Sequence, residues 1–241
     1  MLLLFDIDGT LIRASPKAHQ RAMLAAVQEV YDVTFGPDED PIGQVVPNGK
    51  TDRQIVREML EPRGVAADAV DAGFPEFERI ACEHHSASRD EVLVGDERER
   101  TAAVLRALAD DGHLLALLTG NLEPIARHKM DLAGLGGFFP PGQGGFGSDA
   151  EVRAELVTIA RERAGTNGRP HPREDTVVVG DTPLDVAAAH ADGVRAIAIG
   201  GFRYTRDDLI AAGADAAIDE LDEVADALSG QRARSSPSAR P

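Results

Sequence analysis

The chain predicts an α/β fold: a parallel, Rossmann-like sheet with helices on both faces, plus an inserted all-helical cap. Three observations predict it. Short apolar runs of strand length recur along the chain, and helical patterns that stop at glycine separate them. One long stretch also holds helical patterns without any buried strand.

Taken in order, residues 2–5 (Leu-Leu-Leu-Phe) are too short and too apolar for a surface helix and predict a fully buried strand. Residues 13–96 break the rhythm, with helical stretches at about 16–31, 51–61 and 66–86. The alternation then resumes. A helix over 99–110 stops before Gly112, and a strand over 114–118 ends in Thr119-Gly120-Asn121. A helix over 124–133 stops before Gly134, a short strand covers 144–146, and a helix over 149–164 stops before Gly165. A strand over 176–179 ends in Gly180-Asp181, and a helix over 183–191 stops before Gly193. A strand over 196–199 precedes Gly200-Gly201. The domain reading is a core of residues 1–12 and 97–228, a helical cap of residues 13–96, and a Ser-, Arg- and Pro-rich disordered tail over 229–241.

Composition narrows the function. With 43% apolar and 27% charged residues over 241 positions, the chain has ordinary globular character and enough length for a good core. The formal charge of −16 argues against nucleic acid and against anionic membranes, while a local pocket can still take a small anion. No apolar run reaches bilayer length, and the leading apolar residues lack a basic region before them and meet Asp6, so a cytoplasmic location is expected. A single cysteine, Cys82, allows no internal disulfide.

The chemistry sits at the strand ends. Asp6 and Asp8 follow the first strand, Thr119 and Asn121 the second, and Asp181 and Asp185 the run at 176–179. In an open parallel sheet these ends share one rim, and an insertion after the first strand covers that rim. Four carboxylates there repel one another unless a cation sits among them, and ligation by oxygen alone selects Mg²⁺. Taken singly, each motif also reads as structure: an Asp/Gly turn, a loop with an N-cap, a capped helix start before Pro183. Their joint occurrence at successive strand ends points to metal-assisted phosphoryl chemistry on a small phosphate ester.

These segments resemble the haloacid dehalogenase superfamily, most closely its phosphoglycolate-phosphatase-like branch with a helical cap. The resemblance is carried by Asp6-Ile7-Asp8-Gly9-Thr10-Leu11, Leu118-Thr119-Gly120-Asn121 and Val179-Gly180-Asp181-Thr182-Pro183-Leu184-Asp185. It implies Asp6 as nucleophile and Asp8 as general acid and base. It implies Thr119, with Gly120 and Asn121, as the phosphoryl grip. It also implies Asp6, the Asp8 carbonyl, Asp181 and Asp185 around Mg²⁺. An acid at position 8 argues against dehalogenation.

The family also needs a basic residue opposite the nucleophile, at the start of the helix preceding the Gly180-Asp181 strand. No lysine occurs there. Arg153 has the right place in the topology, while Lys129, after Thr119, offers the commoner chemistry; both stand as candidates. In the cap, Asn48-Gly49-Lys50-Thr51-Asp52-Arg53 resembles a specificity loop and offers Lys50 and Thr51 to substrate, though an exposed, ordinarily capped loop fits the same residues.

Competing functions fare less well. Gly49-Lys50-Thr51 lacks the leading glycine of a phosphate-binding P-loop, since position 44 is Gln44 and Gly43 misses by one. Cys82-Glu83-His84-His85 has adjacent rather than face-sharing ligands and no second pair, which argues against zinc. A non-catalytic phosphate-binding module predicts loss of Asp8, Asp181 or Thr119, and all three are present. A phosphomutase remains the alternative within the family. Two tyrosines and no tryptophan favour a small acid or sugar phosphate over a stacked nucleobase.

Overall fold

The computed structural model describes residues 1–13, 17–88 and 95–235, the last six of these by backbone alone. Six strands form one parallel sheet: β1 (Leu2–Phe5), β2 (Leu114–Thr119), β3 (Gly145–Phe146), β4 (Thr176–Gly180), β5 (Arg195–Ile199) and β6 (Ala216–Ile218). Their spatial order is β3-β2-β1-β4-β5-β6, so the chain winds outward from β1 in both directions. Leu3 lies beside Leu115 on one side and Val177 on the other, which places the ends of the three central strands level.

Strict alternation along each strand builds two cores. Leu3, Phe5, Leu115, Leu117, Val177, Val179, Ile197 and Ile199 face one way, against α5 (Gly95–Asp110), α6 (Glu123–Leu132) and α10 (Val224–Ser235). Leu2, Leu4, Ala116, Leu118, Val178, Ala196 and Ala198 face the other way, against α7 (Arg153–Arg163), α8 (Pro183–Ala191) and α9 (Arg206–Ala211). Strands buried on both faces carry no polar alternation, which is why they read as continuous apolar runs.

Between β1 and α5 the described chain is helical: α1 (Lys17–Tyr31), α2 (Pro41–Gln44), α3 (Asp52–Leu60) and α4 (Ala67–Ser86). These helices enclose their own core of Met23, Val27, Val56, Met59, Phe74 and Phe77. Leu122 and Ile125, from the start of α6, complete it and seat the helical layer over the carboxyl end of β2.

Several boundaries differ from the sequence expectation. The helix expected over 149–164 begins at Arg153, because Asp149 instead accepts a hydrogen bond from the Phe146 N–H and pairs with Arg163. β6, α2 and α9 were not expected: each is short, and β6 sits in an Ala-rich edge segment without an apolar run. α10 runs to Ser235, seven residues into the stretch expected to be a disordered tail, because Val224 and Leu228 anchor its first turns in the sheet core. Positions 236–241 of that tail, residue 16 of the first cap helix and positions 89–94 lie outside the described residues.

Candidate active site

β1 delivers two acids in different directions. The Asp6 N–H donates to the Val179 carbonyl (2.9 Å), which extends the strand ladder by one residue and fixes the Asp6 side chain at the rim. The chain then turns tightly, with the Leu11 and Ile12 N–H groups both donating to the Ile7 carbonyl (3.0 and 2.9 Å). Gly9 makes the turn possible. Its φ is +102°, and a Cβ there would stand 2.1 Å from the Asp181 Oδ2 atom. Asp6 and Asp8 therefore leave the strand toward different partners.

Asp6, Asp181 and Asp185 converge: one carboxylate oxygen from each lies within 4.8 Å of the others, and all three residues are buried. Burial, with Asp185 and Asp8 nearby, pushes the Asp6 carboxyl up to about 6 against the pull of Arg153. Burial and the charges of Asp6 and Asp185 push Asp181 up to about 8. Asp181 Oδ2 is buried without a hydrogen-bond partner. A cluster of desolvated carboxylates with an orphaned oxygen fits a metal ion, which supplies the charge the cluster lacks. Asp185 is the most constrained of the three. Its Oδ1 accepts from Arg153 Nη2 (2.5 Å), and its Oδ2 accepts from the Thr182 N–H and hydroxyl (3.0 and 2.7 Å), closing the capping box of α8.

Arg153, the first residue of α7, is 7% exposed and aims inward. Its Nη2 donates to Asp6 Oδ1 (2.8 Å) and Asp185 Oδ1, and its Nη1 donates to the Gly49 carbonyl of the cap loop (3.1 Å). Burial opposes its charge, but Asp185 and Asp6 outweigh that and raise its pKa further.

Lys129 is fully buried in α6 and serves the other acid. Its Nζ donates to Asp8 Oδ2 (2.6 Å) and Asn121 Oδ1 (2.6 Å). Asn121 Nδ2 donates to the same Asp8 oxygen (3.0 Å) and to the Thr119 hydroxyl (2.8 Å), which keeps its own proton to give. Burial alone would raise the Asp8 pKa; Lys129, through its charge and its hydrogen bond, and Asn121, through a second hydrogen bond, hold the carboxyl below its ordinary value. Asp8 Oδ1 is left buried and unpartnered.

Both basic candidates thus enter the site, one opposite each acid. Asp6, Asp8, Thr119, Gly120, Asn121 and Arg153 border one cavity of about 80 Å³. The cap-loop candidates fare differently. Lys50 borders the cavity, but its ammonium is turned to Glu58 and to the Val45 carbonyl (2.6 Å). Thr51 is fully buried, caps α3 through the Gln54 N–H and donates to the Glu151 carbonyl (2.7 Å), so its hydroxyl is engaged away from the cavity. The histidines of the 82–85 segment are placed apart: His84 pairs with Glu29, and His85 lies against His128.

Two further residues at the cavity, His19 of α1 and Arg203, belong to no motif; the helical spacing of α1 toward the rim was the one available signal for His19. Asn48, from the cap-loop segment already singled out, also borders the cavity and is hydrogen-bonded to Arg203.

The strand order, the helical insertion after β1 and the acids gathered at the carboxyl edge define the class: an open parallel α/β protein with a capped acidic centre. The model of the haloacid dehalogenase-like hydrolases matches residues 3–190, and the chain belongs to that family. It is 30% identical over 225 residues to a plasmid-encoded phosphoglycolate phosphatase of Cupriavidus necator, covering 91% of this chain and 89% of that protein. It is 28% identical over 207 residues to phosphoglycolate phosphatase 1 of Pseudomonas aeruginosa, covering 82% and 68%. Among solved structures, a hydrolase from Pseudomonas syringae shares the fold with a TM-score of 0.62 at 13% identity, over 95% of this chain and 97% of that one. Among the described residues, no helix is long and apolar enough to cross a membrane.

Proposed function

We propose that the protein is a Mg²⁺-dependent phosphomonoester hydrolase that works through an aspartyl-phosphate on Asp6. The observation that carries it is the division between the two acids: Asp6 lies in the Asp181–Asp185 cluster against Arg153, while Asp8 is held through one oxygen by Lys129 and Asn121 with the other left open.

An Asp6 oxygen attacks phosphorus, and the bond from phosphorus to the leaving oxygen breaks. Asp8 Oδ1 gives its proton to that oxygen; the incoming phosphate dianion raises the Asp8 pKa toward the protonated form the step needs. Water then attacks the phosphorus of the acyl phosphate, Asp8 takes its proton, and inorganic phosphate leaves Asp6 free. Thr119 and Arg153 hold phosphoryl oxygens through both halves. Asp6, Asp181 and the Asp8 carbonyl would hold Mg²⁺, oriented by Asp185, and the ion supplies charge neutralisation for the phosphoryl group.

The substrate is a short phosphorylated acid of the phosphoglycolate kind. The narrow cavity, its Arg203, Asn48 and His19 border, and the phosphoglycolate phosphatases among the relatives support this. The cap helices close the site from solvent. A phosphometabolite panel scored by kcat/KM tests the substrate. Mg²⁺-dependent release of inorganic phosphate that vanishes with chelator and in Asp6→Asn tests the chemistry; near-normal turnover in Asp6→Asn refutes it. Transfer of the phosphoryl group to a second hydroxyl of the substrate, in place of phosphate release, would reveal a mutase instead.

A further inference from the structure

Lys129 is held by more than the catalytic strands. Its ammonium has three N–H donors, and three acceptors surround it: Asp8 Oδ2 (2.6 Å), Asn121 Oδ1 (2.6 Å) and His19 Nδ1 (3.2 Å). The third comes from the cap. An ammonium only donates, so His19 Nδ1 accepts and carries no proton, which places the ring proton on Nε2. Nε2 stands 3.0 Å from Asp52 Oδ2, an acceptor, so both contacts agree on one neutral tautomer. Asp52 is itself fixed: it is 2% exposed, and the same oxygen accepts from the Leu122 N–H (2.9 Å) at the start of α6. Its own N–H donates to the Gly120 carbonyl (2.8 Å).

We propose that His19 and Asp52 are positioning residues of the cap, which complete the acceptor shell of Lys129 and so hold Asp8 with its free oxygen toward the leaving group. The inference rests on the assignment of Asp8 as proton donor. Its geometry is specific. Asp52 and His19 arrive on α3 and α1, Lys129 and Asn121 belong to the core, and the four meet only when the cap lies on the rim. His85, whose imidazole burial pushes down to about 3, packs edge-on to His19 at 6.0 Å between ring centres and brings no competing charge. Closure of the cap therefore delivers the last ligand of the cation that orients the general acid. Without His19 one ammonium N–H is buried without an acceptor, and Lys129 has reason to leave Asp8.

The test separates proton donation from general damage by leaving group. β-Glycerol phosphate has a poor, alkoxide leaving group that needs protonation, whereas p-nitrophenyl phosphate leaves as a stable anion that does not. kcat/KM covers binding and the first phosphoryl transfer only, so it leaves out the later work of Asp8 on water. In His19→Leu, kcat/KM for β-glycerol phosphate is expected to fall about tenfold or more, and for p-nitrophenyl phosphate by less than about threefold. His19→Asn, whose side-chain oxygen can accept from Lys129, recovers most of the loss. Equal losses on both esters, no loss on the alkyl ester, or no rescue by Asn would overturn the proposal. If His19→Leu does not fold, Asp52→Ala must show the same split between the two esters, and its absence counts equally against it. A wild-type protein inert toward both esters with Mg²⁺ present would instead remove the catalytic assignment beneath the proposal.

Discussion

Arg153 Nη2 stands 2.8 Å from Asp6 Oδ1, and the same guanidinium reaches the Gly49 carbonyl through Nη1 at 3.1 Å. One side chain thus joins Asp6 to the cap loop, and the fork geometry of arginine allows both contacts at once. The Arg153→Ala variant removes the positive charge beside Asp6. Its kcat/KM for a phosphomonoester is expected to fall at least about tenfold, roughly 1.4 kcal/mol of transition-state stabilisation. Arg153→Lys keeps the charge but has one nitrogen for Asp6, Asp185 and Gly49, so its rate should lie between wild type and Arg153→Ala. A lysine variant as slow as the alanine variant would show that geometry matters more than charge here.

The acidic cluster makes the stability of the metal-free protein depend on pH with a definite sign. Asp6 and Asp181 have folded-state values of about 6 and about 8, both above the ordinary 3.8. Between the unfolded and folded values the native carboxyl still holds a proton that the unfolded chain has released. Stability therefore falls as pH rises through that window. With chelator present, Tm should be lower at about pH 8 than at about pH 5, and Asp181→Asn should flatten that slope. Added Mg²⁺ should raise Tm most at the higher pH, where the cluster is ionised. A slope unchanged in Asp181→Asn would place its origin elsewhere.

The sheet was legible because its strands are buried on both faces: Leu2–Phe5 and Thr176–Gly180 are apolar runs that end in charge. β6 was not, because Ala216–Ile218 is an edge strand of three residues with only its neighbour β5 to pair with. The site divided along the same line. Asp6, Asp8, Thr119 and Asp181 sit where strand ends must converge, so local pattern and topology gave the same answer. Lys129 and Arg153 could not be ranked, since both needed a side-chain direction that spacing does not supply. The structure gives each an acid of its own. Thr51 stayed open between two readings because a capping threonine and a ligand-binding one look alike in sequence; the structure shows it capping α3. His19 was silent because its partner Lys129 lies 110 positions further along the chain, and Asp52, though part of the cap-loop segment, showed nothing of its tie to His19, 33 positions before it.

A second charged cluster lies away from the site and should behave as pure structure. Asp192, just beyond α8, accepts from Arg161 Nη1 (2.7 Å) and the Thr158 hydroxyl (2.9 Å), and both carboxylate and guanidinium are almost fully buried. It stands one nine-residue helix, about 13 Å, from the end of α8 that carries Asp185. Asp192→Ala leaves Arg161 buried without its partner and should cost about 3–5 kcal/mol in denaturant unfolding. Its kcat, measured at a temperature where the variant is folded, should match wild type. A variant that folds normally but turns over slowly would connect this cluster to catalysis.

Gly120 marks where the cap rests on the core. A Cβ at this position would stand 2.1 Å from the Lys50 carbonyl oxygen and 2.9 Å from the Thr51 Cα, and neither is the end of a flexible side chain. The Gly120 carbonyl also accepts the Asp52 N–H (2.8 Å), so the two backbones touch at the point from which Asp52 reaches His19. Gly120→Ala must push the cap loop outward. The displacement pulls the Gly49 carbonyl from Arg153 and Asp52 from Leu122 together. Overpacking of this kind costs about 1–3 kcal/mol in stability, a modest loss that thermal unfolding would register. The loss in kcat/KM should be larger, about tenfold or more, because the cap loses its hold on Arg153 and on the start of α6 at once. It should appear for alkyl and aryl phosphates alike, since Arg153 contacts Asp6 whichever group leaves. A Gly120→Ala protein with normal turnover would show that the cap need not seat this closely for the reaction to proceed.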